Sequence, residues 1–378
     1  MDLTLNYDSS ITDYTPVVQG MINQLITAGG IGTLYVTYGN YPLFSEITVK
    51  NPSGADRVRI NIIGISDNQN RKPRFFDTRS GTDPHSFIVF RAHDDFARRL
   101  WGGVYNLEFE GNSIPYSSTH PWFLKSQYPR NAIHALGTLG FTMEDCIIRN
   151  QYGAGLVIAN YFDQDKQNRC EYPVIRRNQI YNTWAWNPGD DTGDGIHVWN
   201  CNRPLIEDNT IINDLFVTRW IGRVGIVIEH LSEKALVQRN KVFGYDRTVH
   251  IECTYGGHII QNNDFSGSKN HITLNEFCGA LTEESSLSSP NLIYKNKLDY
   301  NQEQEQINAS RNDFGMLSIV GVVDQLRGLR IIENEFTYRL HPSVNYKNRE
   351  TKAIQKRPEL YMVLKGQPGV VLSKNTFE

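Results

Sequence analysis

The chain has 378 residues, a formal net charge of −3 and no clustered run of Lys and Arg, which argues against a nucleic-acid partner, because gripping a phosphate backbone needs concentrated positive charge. No apolar run approaches the roughly 18 residues of a membrane-spanning helix, so no membrane association is expected. The five cysteines, Cys146, Cys170, Cys201, Cys253 and Cys278, form no CxxC pair, so buried free thiols are expected rather than a zinc site or a disulfide framework.

The start, Met1-Asp2-Leu3-Thr4, lacks the charged and then apolar pattern of a signal peptide. That leaves a cytoplasmic, a phage-borne or a mature secreted protein. Thr15-Pro16 predicts a helix start, with Thr as the cap and Pro in the first turn. Val18, Met21, Ile22 and Leu25 then share one face, and Gly29-Gly30 ends the helix. A strand Leu34-Tyr35-Val36 and a turn Gly39-Asn40-Tyr41 follow.

Further along, an apolar pair followed by an Asn and another apolar residue recurs. It reads Ile147-Ile148-Arg149-Asn150, Val174-Ile175-Arg176-Arg177-Asn178, Leu205-Ile206-Glu207-Asp208-Asn209 and Leu236-Val237-Gln238-Arg239-Asn240. Later copies end at Asn263, Asn296, Asn334 and Asn375, and the steps are 28, 31, 31, 23, 33, 38 and 41 residues. Such a period marks a stacked solenoid. The runs are short, rich in Val and Ile, and broken by Asn, Asp and Gly, which is strand-and-corner chemistry; Asn is expected at the corners because it tolerates a left-handed backbone. The expectation is an all-β parallel β-helix, one domain over residues 1–378. Residues 1–45 form a cap and first strand, 46–300 the main coils and 301–378 irregular C-terminal coils. The helix at residues 15–27 would shield the open end, where unpaired strand edges invite aggregation.

With its helix, its Gly29-Gly30 pair, its strand and Gly39-Asn40-Tyr41, the chain resembles the pectin-lyase-like superfamily over roughly residues 13 to 300. Thr37 stands where that family usually has Pro. The resemblance implies a single-stranded right-handed parallel β-helix acting on or binding carbohydrate. It does not choose an activity, because the fold carries many chemistries.

In a solenoid, equivalent positions of successive repeats become spatial neighbours, so the sequence can be read in columns. Aligning Gly195-Ile196-His197-Val198-Trp199, Gly225-Ile226-Val227-Ile228-Glu229, Thr248-Val249-His250-Ile251-Glu252 and His271-Ile272-Thr273-Leu274-Asn275 places the apolar pairs inward. One outward column then holds His197, Val227, His250 and Thr273, and the next holds Trp199, Glu229, Glu252 and Asn275. Glu229 and Glu252 fall on adjacent coils. Like charges that close resist joint ionisation, so one of the two is expected to hold its proton. A protonated acid beside a carboxylate is the equipment of a glycosidase.

Glu229 and Glu252, with Asp194, are therefore the candidate catalytic residues. His197, Trp199, His250, Arg223 and Arg247 are expected to contact substrate, together with Asp191 and the loop aromatics Trp184, Trp186 and Trp220, whose faces suit sugar rings. The competing reading makes the glutamates salt-bridge partners of Arg223 and Arg247, and buries the aromatics under folded-back loops. No metal is assigned; Asp190-Asp191-Thr192-Gly193-Asp194 is the one candidate calcium loop, with Thr192 at the third ligand place and Cys201 where the closing Glu belongs.

Among activities, the polygalacturonase signatures are represented only by Asp190-Asp191, with no Arg-Ile-Lys. A pectate-lyase base would have to be Arg223 or Arg247. Gly81-Thr82-Asp83-Pro84-His85 only grazes the mannuronan-epimerase pattern. The capped start and Val249-His250-Ile251-Glu252 are similar to inulin fructotransferases, which implies a transglycosidase or a glycoside hydrolase, with a homo-oligomer, trimeric in such proteins. The alternatives are a polysaccharide lyase and a phage tailspike-like adhesin or depolymerase.

Overall fold

A computed structural model describes residues 1–52, 57–77, 86–92, 100–111, 131–160, 169–185, 193–214, 222–267, 270–276, 280–301, 317–321, 326–339, 362–364 and 369–377. The strands stack into three parallel sheets of 12, 10 and 11 strands, with a two-stranded sheet at one corner. Each strand pairs in parallel with its counterpart one coil away, and the chain visits the sheets in turn. Side chains pointing into the tube make a continuous apolar core from Leu5 to Phe336. The expected inward columns are present: Ile196, Ile226, Val249 and Ile272 lie in register, as do Val198, Ile228, Ile251 and Leu274, and all are buried.

The helix α1 (Thr15–Thr27) buries Val18, Ile22 and Leu25, and Met21 packs on the same core at its edge. Its N-cap is Tyr14, not Thr15. The Asp13 carboxylate accepts from the Thr15 N–H (2.9 Å), while the Thr15 hydroxyl accepts from the N–H of Phe44 (3.0 Å) and Ser45 (3.2 Å). Thr15 thus ties the helix to the first coil, and Asp13 satisfies the N–H of the first helical residue. A strand that the sequence did not suggest, Asp2–Leu5, pairs with Ile31–Val36.

The Asn repeat forms a buried ladder. The side-chain oxygen of Asn209 accepts from both the backbone N–H (3.0 Å) and the side-chain amide (3.0 Å) of Asn178. Asn240 does the same for Asn209, Asn263 for Asn240, Asn296 for Asn263, Asn334 for Asn296 and Asn375 for Asn334. Each amide also donates to a backbone carbonyl one coil back, as Asn240 does to Ile206 (2.9 Å).

Two expectations need correction. Asn150 is not a rung: Ile147–Arg149 pairs with Gln179–Tyr181, and the bottom rung is the Cys146 N–H donating to Asn178 (2.9 Å). The left-handed corner residue is not the Asn but the one before it: Arg177 (φ 54°), Asp208 (φ 57°), Arg239 (φ 54°) and Lys295 (φ 53°). Asn is required for its amide, which accepts on one atom and donates on the other, rather than for its backbone tolerance. The cysteines also differ from expectation. Cys146, Cys170 and Cys201 are buried free thiols, but Cys253 is disulfide-bonded; Cys278 lies outside the described residues.

Candidate active site on the outer face of the second sheet

The four strands β1 (Ile196–Trp199), β2 (Gly222–Glu229), β3 (Tyr245–Glu252) and β4 (Asn270–Glu276) are consecutive in the ten-stranded sheet. Their register sets Trp199 beside Glu229, Glu229 beside Glu252 and Glu252 beside Asn275. The neighbouring column is His197, Val227, His250 and Thr273. These positions point away from the core, yet His197, Val227, His250, Thr273 and Glu229 are all buried. The outer face here is therefore the shielded floor of a site, not a solvated ladder. The Glu229 side chain is 8% exposed and that of Glu252 28%, so Glu252 stands nearer the mouth.

The acids are held by the histidines. His197 Nε2 lies 3.2 Å from Glu229 Oε2, and His197 Nδ1 lies 3.5 Å from Asp194 Oδ2. His250 Nε2 lies 2.9 Å from Glu252 Oε2 and 3.7 Å from Glu229 Oε1. Arg247 Nη1, which can only donate, sits 3.4 Å from His250 Nδ1, and the Thr273 hydroxyl sits 2.6 Å from the same nitrogen. A carboxylate only accepts, so His250 Nε2 is the donor in its contact with Glu252. Burial works against the charge of Glu229, but the hydrogen bond from His197 and the positive fields of His197, Arg223 and His250 outweigh it and hold that carboxyl at about 2.

The acid expected to keep its proton is therefore not Glu229. Among the described residues the carboxyl that burial pushes up, to about 8, is Glu276 at the end of β4.

Asp194 is not placed to touch a substrate. Its side chain is 0% exposed, and Arg223 clasps it with Nε on Oδ1 (2.9 Å) and Nη2 on Oδ2 (2.7 Å). The Val224 N–H adds a third bond to Oδ1 (3.1 Å). Asp194 and Arg223 form one unit beside His197, whose Nδ1 lies 3.5 Å from Asp194 Oδ2. With its oxygens so engaged, Asp194 is poorly placed as a calcium ligand; Asp190 and Asp191 lie outside the described residues, as do Trp186 and Trp220. Trp184 is not a sugar platform: it is fully buried and packs edge-on against Tyr152, centroids 4.7 Å apart. Trp199 fits that role better, half-buried beside Glu229 and stacked on His230 with centroids 3.6 Å apart.

One ligand atom each of Glu229, His250 and Glu252 lies within 4.8 Å of the others, a spacing that would also span a cation.

The sequence reading passed over His230, Ser232 and Glu276. His230 follows Glu229 on the corner, with φ 39°. The Ser232 hydroxyl donates to the Glu229 carbonyl (2.7 Å) and accepts from the Cys201 N–H (3.1 Å). For Glu276 a signal existed: a charged residue at an inward position of a strand pattern.

The right-handed β-helix family model matches residues 100–336. The chain belongs to that family. No curated protein sequence matches it. Among solved structures it is similar to DFA-IIIase from Arthrobacter chlorophenolicus A6, at 15% identity and a TM-score of 0.62, covering 100% of this chain and 89% of that one. It is also similar to polygalacturonase from Erwinia carotovora ssp. carotovora, at 11% identity and a TM-score of 0.53, covering 100% and 92%. A third likeness is to the Dettilon tailspike protein, at 11% identity and a TM-score of 0.52, covering 99% and 66%. At these identities the likeness is one of fold. No helix among the described residues is long and apolar enough to cross a membrane.

Proposed function

We propose that this right-handed β-helix is a carbohydrate-active enzyme, a glycoside hydrolase or transglycosidase, in which Glu229 is the nucleophile and Glu252 the acid/base. The observation that carries the reading is the pair itself: two carboxylates in register on adjacent strands, Glu229 buried and Glu252 nearer the mouth, with Glu229 held ionised by His197, Arg223 and His250. One oxygen of each lies within 4.8 Å of the other, closer to the roughly 5–5.5 Å separation used by retaining enzymes than to the wider gap of inverting ones. The fold neighbours named DFA-IIIase and polygalacturonase support a saccharide substrate. A homo-oligomer, trimeric as the sequence resemblance implies, is part of the same reading.

In the first step the Glu229 carboxylate attacks the anomeric carbon as Glu252 gives its proton to the departing glycosidic oxygen. The C–O bond breaks and a glycosyl ester of Glu229 forms. Glu252, now a carboxylate, takes a proton from water or from a sugar hydroxyl, whose oxygen displaces Glu229 and restores both groups. His250 aims Glu252, His197 holds Glu229, and Trp199 offers a flat apolar face to the ring.

The test is a polysaccharide and fructan panel incubated with wild type, Glu229→Gln and Glu252→Gln, with products read by mass spectrometry and ultraviolet absorbance. Saturated fragments or cyclic anhydrides that vanish in both variants support the reading. Unsaturated uronates point instead to a lyase with an Arg base. Binding without product, unchanged in the variants, points to an adhesin.

A further inference from the structure

We propose that Glu276 is a positioning residue for Glu252: its buried carboxyl group holds the corner that follows Glu252 and acts on that acid through the protein interior. The proposal rests on the reading of Glu252 as the acid/base, and it starts from the geometry of the corner. After Glu252 the chain turns at Cys253, which adopts a left-handed backbone (φ 56°), and Thr254 follows. Glu276 is 1% exposed. One of its oxygens accepts the Thr254 N–H (2.9 Å), and the other accepts the Thr254 hydroxyl (2.5 Å). The Cys253 N–H goes to the Asn275 carbonyl (3.1 Å). The end of β4 thus pins the two residues that aim Glu252.

The hydrogen bonds around Thr254 have a fixed direction. His258 Nδ1 accepts the Ala235 N–H (3.1 Å), so the neutral ring carries its proton on Nε2, 2.9 Å from the Thr254 hydroxyl; burial keeps this ring neutral, at about 3. The hydroxyl also accepts the Gly256 N–H (3.2 Å). Both its lone pairs are used, and its one proton goes to Glu276. Both Glu276 oxygens are thereby acceptors, which favours the ionised form, while burial and the nearby Glu252 charge favour the neutral one. Among the described residues, Glu252 is the titratable group whose charge acts on Glu276, and His258 reaches it through the Thr254 hydroxyl.

The corner after Glu229 is built differently. There the uncharged Ser232 hydroxyl closes onto the Glu229 carbonyl (2.7 Å). The two corners are thus closed by different groups, a hydroxyl after Glu229 and a carboxyl after Glu252.

The experiment measures thermal stability from pH 5 to 9.5 for wild type, Glu276→Gln and Glu252→Gln, and kinetics on whatever substrate the panel yields. A carboxyl raised in the folded state binds more protons there than in the unfolded chain, so its contribution is full below the unfolded value and falls as pH rises through about 8. Wild type should lose melting temperature over that window, and Glu276→Gln should not. Glu252→Gln, which removes the neighbouring charge, should move the midpoint of that loss to lower pH. Turnover in Glu276→Gln should fall about tenfold with KM within about twofold, and the alkaline limb of its pH profile should shift. An unmoved midpoint in Glu252→Gln, or an unaltered alkaline limb in Glu276→Gln, would overturn the proposal. If wild type turns over nothing, the enzymatic reading fails on its own, while the melting midpoints still decide whether the two glutamates are coupled.

Discussion

Two rows of polar side chains climb this solenoid on consecutive coils, the asparagines at one corner and the Glu229–Glu252 column on the second sheet. The amide is self-complementary: it accepts from the rung below, donates to the rung above, and the row from Asn178 to Asn375 repeats without help. A carboxylate only accepts. Two of them in register repel each other, and the column stands because His197, His250, Arg223 and Arg247 surround it. A row that satisfies itself is architecture. A row that needs imported donors has its charge set by its surroundings, and that is the condition for acid/base work.

If this contrast is right, damage to the two rows should separate stability from activity. Glu229→Gln should remove turnover by on the order of 10³-fold or more while the protein still folds at neutral pH. Trp184→Ala should do the reverse, costing about 3–5 kcal/mol because a fully buried ring is removed, with kcat of the folded protein unchanged. Asn240→Ala strands the Asn209 amide groups and the Ile206 carbonyl, and should cost about 3 kcal/mol in chemical denaturation, also without effect on kcat.

The carboxyl of Glu229 is depressed to about 2 from an ordinary value of 4.5, so its contribution is present above about 4.5 and lost as pH falls toward about 2. That amounts to roughly 3 kcal/mol, visible as an acid-limb difference between wild type and Glu229→Gln melts. The smallest effect expected is that of Trp199→Ala, a rise in KM of about tenfold for the loss of one stacking face, with little change in melting. Equal losses of stability and kcat in Asn240→Ala would break the distinction between the rows.

Much of this was legible before folding. The register of Glu229 with Glu252 could be read by aligning apolar pairs, because the side-chain period of two leaves a strand one choice of face. Asn150 was misplaced because an apolar pair followed by Asn occurs on two different corners, and only strand pairing separates Ile147–Arg149 from Val174–Arg176. Asp194 looked catalytic because sequence shows an acid near a histidine but not the Arg223 clasp that occupies it. Trp184 looked like a platform because hydrophobicity alone does not say which ring faces the core.

The sequence by itself determined the solenoid, its short strands and corners, and the column in which two glutamates meet, since each follows from periodicity along the chain. Tertiary structure alone decided which acid is held ionised and which is pushed toward neutrality. Charge in a protein interior depends on burial and on donors brought from other coils, such as Thr254 to Glu276 across 22 residues and Arg223 to Asp194 across 29. Those distances exist only once the coils are stacked.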